Sequence, residues 1–268
     1  MSAVPLAEAR DETEFGGKAV QLGAALRAGL PVPPGAALAA EFVDAVAAGD
    51  PTAAAELETL TARVAWPVAV RSSAIGEDSA DASFAGQHLT QLNVRDPAGL
   101  AEAVAAVWAS ARSEAALAYR ARLGIDGQPR TGVVVQALLD PAVAGVLFTR
   151  NPLNGADERV IEASWGLGEA VVAGSVIPDR FRIARDGTVL ERTPGWKTVA
   201  LRPSADGGTV EEPVAANLVE QLCLDDRRLA ELHALASRCE HVFGNGRDLE
   251  WAFAGQTLYL LQCRAVTR

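Results

Sequence analysis

Near the C-terminus, DLEWAF (248–253) and TLYLLQCR (257–264) flank Ala254-Gly255-Gln256, and both alternate apolar with polar residues. Successive side chains of a strand face opposite sides, so this spacing predicts a β-hairpin with one apolar and one polar face. Centring the turn on Gln256 sets Asp248 opposite Arg264 and Glu250 opposite Gln262. Leu249, Trp251 and Phe253 then face Cys263, Leu261 and Tyr259 on the other side. A carboxylate and a carboxamide supply hard oxygen donors, and Mg²⁺ takes one or two of these while phosphates and water complete its shell. Arg264 beside them would neutralise charge on a phosphate in transfer. A half-solvated hairpin whose polar face simply meets water has the same pattern, and both readings stand at this point.

Other residues admit the same chemistry. Lys18 follows Gly16-Gly17, where the backbone can come close to a ligand and the lysine can act as a point charge on phosphate. A solvated lysine at a helix start fits equally. Arg71 closes the apolar run VAV just before Ser72-Ser73, which suits a phosphate-contacting loop or a surface salt bridge. Gln136 ends a VVV run, either reading an adenine edge or buried against backbone. GLGE (166–169) is a glycine-rich loop or a tight structural turn. The chain lacks G-x-x-x-x-G-K-[ST] and G-x-G-x-x-G, so neither a Walker A loop nor a dinucleotide or protein-kinase loop is supported. His88, His233 and His241 have no metal-ligand spacing, and no catalytic histidine is assigned.

Regular elements must hold these groups. The pattern predicts a helix over 17–29 stopped by Gly29 and Pro31, then a rigid extended connector, LPVPPG (30–35). Short Ala-rich helices follow over 36–63. A buried strand at 67–73 leads into a polar loop to about residue 87, then a strand at 88–94 and a long helical stretch over 97–123. Strands at 131–139 and 144–150 are separated by a turn at DPAV. Residues 159–183 read as strand, glycine loop and strand, and 215–243 as a helix. The division into lobes falls near residue 130: an N-terminal lobe (1–130) with phosphate-contacting loops, and a C-terminal lobe (131–268) with the adenine hinge and the hairpin.

Bulk properties set limits. The chain has 268 residues, 49% hydrophobic and 22% charged, which is globular rather than disordered. A formal net charge of −10 argues against a nucleic-acid surface, which needs clustered Lys and Arg. A nucleotide ligand requires only a few converging cations. No apolar run reaches a membrane span and the N-terminus has no signal-peptide pattern, so a cytoplasmic protein is expected. Cys223, Cys239 and Cys263 are widely spaced and odd in number, as free thiols would be.

Five stretches together resemble the N-terminal nucleotide-binding domain of the phosphoenolpyruvate synthase, pyruvate phosphate dikinase and rifampicin phosphotransferase group. They are FGGKAVQLGAALRAGLPVPPG (15–35), VAVRSSAIGEDSADASFAGQHLTQLNV (68–94), AGVLFTRNP (144–152), EASWGLGEAVVAGSVIPD (162–179) and DLEWAF…LYLLQCR (248–264), in family order. The resemblance implies an α+β, two-lobed ATP-grasp-like fold with ATP in the cleft between lobes. It implies phosphate contacts for Lys18 and Arg71, Mg²⁺ ligation by Glu250 and Gln262, contact of Arg264 with the transferred phosphate, and Gln136 at the adenine hinge. Lys18, Arg71 and Arg264 thereby become the expected catalytic set.

The chain departs from the family by lacking the T-S-H-A phosphohistidine motif and room for an acceptor domain. Ala265 follows Q-x-R where proline is usual, and Gly246 stands near a position where proline often precedes D-[IL]-E-W. The leading expectation is therefore an ATP half-reaction delivering phosphate to a carrier histidine on a partner chain or domain. The alternatives are a self-contained small-molecule kinase or ATP-dependent ligase, a non-catalytic nucleotide-sensing subunit, and an excised piece of a longer enzyme.

Overall fold

Val68–Ala74 and Thr131–Ala137 lie side by side as antiparallel strands, buried along nearly their whole length. The computed structural model describes residues 3–76, 89–122, 124–125 and 127–266. Its first part runs β1 (Ala3–Pro5), α1 (Glu12–Arg27), β2 (Gly35–Leu38), α2 (Ala40–Ala47), α3 (Pro51–Thr61), β3 (Val68–Ala74), β4 (Thr90–Val94), α4 (Pro97–Ser110), α5 (Glu114–Arg122) and β5 (Thr131–Ala137). The second runs β6 (Val143–Phe148), β7 (Glu158–Trp165), α6 (Glu169–Val172), β8 (Asp179–Ala184), β9 (Val189–Thr193), β10 (Val199–Pro203), β11 (Thr209–Pro213), α7 (Asp226–Phe243), β12 (Arg247–Ala254) and β13 (Thr257–Ala265). The α+β class is as expected.

Two larger sheets carry the fold. One has five strands in the order β1-β2-β5-β3-β4, and the other six in the order β13-β12-β6-β7-β8-β9; β10 and β11 form a separate ribbon. The adjacent apolar strands β5 and β6 belong to different sheets, so the chain crosses between sheets over 138–142, later than the division expected near 130. β5 stays in the first sheet because it pairs on both edges, with β2 and with β3. Helix α1 packs on β3, β5 and β13 and so touches both sheets.

Local chemistry sets the helix ends. Helix α1 closes with Gly29 at a left-handed φ of 72°, its N–H donating to Leu26 O while Leu30 N–H donates to Ala25 O. This paired termination favours glycine. Helix α7 starts at Asp226 rather than near 215, because the Asp225 carboxylate accepts the Arg228 N–H and caps it there; such a cap contributes about 1 kcal/mol. Leu229, Leu232, Leu235, Ala236 and Cys239 give α7 one buried face, packed on β12 and β13. The stretch expected as one helix over 97–123 is two, and residues 36–63 begin with β2 before helix starts.

The strand expected to end at Ser73 runs on through Ala74, which makes Arg71 a mid-strand residue. Ser72 and Ser73 stay in the ladder opposite Val133 and Gly132. Most of the loop expected to follow, and His88, lie outside the described residues. The thiols of Cys223, Cys239 and Cys263 are free and buried. Among the described residues no helix is long and apolar enough to cross a membrane.

Candidate functional site

The C-terminal hairpin turns on Gly255-Gln256, with Gly255 at a φ of 60° and Ala254 paired to Thr257. Trp251 faces Leu260 and Phe253 faces Leu258, not the expected Leu261 and Tyr259, because β13 bulges opposite the Glu250–Trp251 step. Past the bulge the pairs are the expected ones: Glu250 with Gln262, Leu249 with Cys263, and Asp248 with Arg264. The bulge leaves Leu258, Leu260 and Cys263 buried while Leu261 and Gln262 both line the same cavity. It also leaves the Leu261 carbonyl to accept a hydrogen bond from Arg71 Nη1 at 2.5 Å.

Arg71 is 9% exposed and reaches from the middle of β3 to this hairpin in the other sheet. Its Nη2 donates to Glu250 Oε2 at 2.6 Å and lies 3.4 Å from Gln262 Oε1. The carboxylate and carboxamide oxygens thus both face one cationic group. Hard oxygen donors of this type suit Mg²⁺. Burial pushes the Glu250 carboxyl up, but Arg71, Lys18 and Arg264 together hold it below the usual glutamate range. It is therefore ionised and able to ligate. Arg264 donates Nε to Asp248 Oδ2 at 2.8 Å, and its Nη2 lies at the same distance from that oxygen. Burial raises the Asp248 carboxyl against the opposing pull of Arg264.

Gly16 brings Lys18 to the same place. It interrupts α1 with a φ of 76°, and a Cβ there would fall 2.1 Å from the Ser73 carbonyl oxygen of β3. Only glycine fits so close an approach at that φ. The helix resumes after it, with Ala19 N–H donating to Ser73 Oγ at 3.0 Å.

Lys18, Arg71, Gln136, Glu250, Gln262 and Arg264 all line one cavity of about 420 Å³ between the two sheets. Gln136 is 3% exposed and donates Nε2 to the Pro33 carbonyl at 2.9 Å, so it is both backbone-paired and cavity-lining. Arg71 is salt-bridged, but in the interior rather than at the surface.

Glu169 was missed in the sequence. The available signal is a carboxylate opening a helix directly after the glycines of GLGE. It lines the cavity, where burial raises its carboxyl, Arg71 pulls it down and Glu250 pushes it up, the net being upward. A carboxyl whose folded-state value is raised loses stability as pH climbs from the unfolded value to the folded one, and the cost is complete above that. Glu169→Gln is therefore expected to melt higher than the parent at about pH 8, with the gain fading toward about pH 4.3 as both forms become neutral. Thermal melts across that range test this, and a gain that did not shrink on acidification would refute it.

Residues 51–268 match the family described as "Pyruvate phosphate dikinase, AMP/ATP-binding domain". The chain is 41% identical over 201 residues to a rifampicin phosphotransferase of Streptomyces sviceus, covering 74% of this chain and 23% of that protein. It is also 41% identical over 202 residues to a probable phosphoenolpyruvate synthase of Methanothermobacter thermautotrophicus, covering 75% and 29%. The chain thus spans about a quarter of the length of these relatives. Among solved structures it is similar to the L-amino acid ligase from Bacillus licheniformis, with a TM-score of 0.44 and 15% identity over 95% of this chain and 43% of that one. With a match running over most of its length, the chain belongs to the pyruvate phosphate dikinase AMP/ATP-binding domain family.

Proposed function

We propose that this chain binds Mg²⁺–ATP in the cavity between its sheets, as an ATP-grasp-like domain of two lobes, and performs the ATP half of a phosphoryl transfer. The acceptor in this reading is a carrier histidine on a partner chain or domain. One observation carries it: three cations and two hard oxygen donors, drawn from both sheets and from helix α1, line a single cavity large enough for a nucleotide.

Lys18 and Arg71 hold phosphate oxygens, and Arg264 offsets the charge that develops on the transferred group. Glu250 and Gln262 would hold the metal, which would supply charge neutralisation to the phosphates. Gln136, beside the crossing at 138–142, borders the adenine end. The net charge of −10 does not oppose this, because binding depends on the local cations and not on the total.

Incubation with Mg²⁺ and ATP, with and without a carrier-histidine protein from a related enzyme, followed by nucleotide chromatography, is the test. AMP formed only with the carrier is the expected result. ADP formed with a small molecule and no carrier would replace this reading by a self-contained kinase or ligase. An intact chain that binds ATP but never consumes it would make it a nucleotide-sensing subunit.

A further inference from the structure

The β10–β11 ribbon belongs to neither large sheet, and it joins them. Along β10, Leu167 N–H donates to the Leu201 carbonyl at 2.9 Å and Arg202 Nη1 donates to the Pro141 carbonyl at 2.7 Å. Leu167 and Pro141 both line the cavity. At its tip, the loop Ser204–Gly208 lies against β4, the edge strand of the first sheet. Asn93 Nδ2 donates to the Ser204 carbonyl at 2.6 Å and to the Gly208 carbonyl at 2.8 Å. Gly208 N–H donates back to the Asn93 carbonyl at 3.4 Å. Arg95 Nη1 adds donations to the Ala205 carbonyl at 2.6 Å and the Ser204 carbonyl at 3.2 Å.

Asn93 is the centre of this contact. It is 2% exposed and has a φ of 57°, a left-handed conformation that Asn tolerates better than most residues. Both amide hydrogens are spent on the ribbon. Its neighbours on β4, Thr90 and Leu92, line the cavity from the first sheet. The ribbon therefore ties cavity wall to cavity wall on one side, while the covalent crossing at 138–142 ties them on another.

We infer that Asn93 is a positioning residue for the nucleotide: by clasping the β10–β11 tip it fixes the spacing of the two sheets around the cavity. This rests on the nucleotide reading given above. A cleft held at its bound spacing needs less ordering when ligand arrives, and that saving appears as affinity. Coupling of this kind is reciprocal, so bound nucleotide must also tighten the clasp.

Two substitutions separate the amide from the backbone. Asn93→Gly keeps the left-handed conformation and removes both donors. Asn93→Asp keeps the shape and sets a carboxylate against two carbonyls. Calorimetry with Mg²⁺ and a non-hydrolysable ATP analogue should show each variant binding about tenfold more weakly than the parent, the size expected for losing one or two net hydrogen bonds. Asp225→Ala, which removes the distant α7 cap, serves as a control that lowers the melting temperature and leaves affinity unchanged. In the unsubstituted chain, exchange of the Gly208 amide should slow when the analogue is bound.

A parent chain that binds no nucleotide overturns the nucleotide reading and this inference with it. A parent that binds, with both variants matching its affinity, overturns the clasp alone. So does a Gly208 amide whose exchange ignores the analogue, a measurement that needs no variant to fold.

Discussion

Glu250→Gln is expected to lower Mg²⁺-dependent ATP turnover by about 10²–10³-fold, the loss typical when one preorganised charge contact to a developing transition state is removed. Glutamine keeps the side-chain length and one carbonyl oxygen for Arg71 Nη2, which now bonds Glu250 Oε2 at 2.6 Å. It removes the negative charge that the proposed magnesium ligation needs. Glu250→Ala is the poorer experiment, since it also strips a partner from the largely buried Arg71, and unpaired interior charges destabilise for unrelated reasons. The measurements are turnover, the melting temperature, and nucleotide affinity with magnesium and with chelator. The expected pattern is lost turnover, a melting temperature within a few degrees of the parent, and an affinity indifferent to magnesium. Parent-like turnover in Glu250→Gln would remove this carboxylate from the metal site.

The geometry adds a condition to that result. Arg71 occupies the point on which the Glu250 and Gln262 oxygens converge, at 2.6 and 3.4 Å. A metal taking both oxygens must find the guanidinium turned elsewhere, and a nucleotide phosphate is the natural alternative partner for it. On the proposed reading, magnesium would then bind together with nucleotide more readily than alone.

The polar face of the hairpin was legible because it depends on two simple facts, a tight glycine turn and strict alternation. The bulge escaped, although consecutive Leu260-Leu261 in an otherwise alternating run is its mark. It displaced the apolar partners of Trp251 and Phe253 and left the polar pairs in register. Sheet membership was not legible. The runs at β5 and β6 are equally apolar and closely joined, and apolarity does not state which sheet buries a strand. Thr209–Pro213 has every residue exposed and no apolar alternation, so nothing in TVEEP marks a strand. Residues 215–224 carry apolar residues at helical spacing, which extends the expected helix back from Asp226 to 215. Tertiary bonds hold that segment in turns instead, among them Cys223 N–H donating to Asp179.

That aspartate leads to the largest stability effect expected in the molecule. Asp179 and Lys197 are each fully buried and form an ion pair, Nζ to Oδ1. The carboxylate also accepts Gly195 N–H on Oδ1 and Cys223 N–H on Oδ2, both at 2.7 Å. One side chain thereby joins the start of β8, the approach to β10 and the turns before α7. Asp179→Ala leaves an ammonium and two N–H groups without partners in the interior, and breaking a buried pair from one side costs about 3–5 kcal/mol. Lys197→Met should cost less, about 1–3 kcal/mol, because the remaining carboxylate keeps both backbone donors. Urea unfolding of the whole chain measures both, and the order matters as much as the size: a loss under about 1 kcal/mol for Asp179→Ala, or a larger loss for Lys197→Met, would sink the account. Lys197 stands two residues before β10, so the pair also anchors the base of the ribbon whose tip Asn93 holds. Lys197→Met, if it folds as expected, should therefore loosen that ribbon from its base, giving faster amide exchange along β10 and β11 than along β3 and β5.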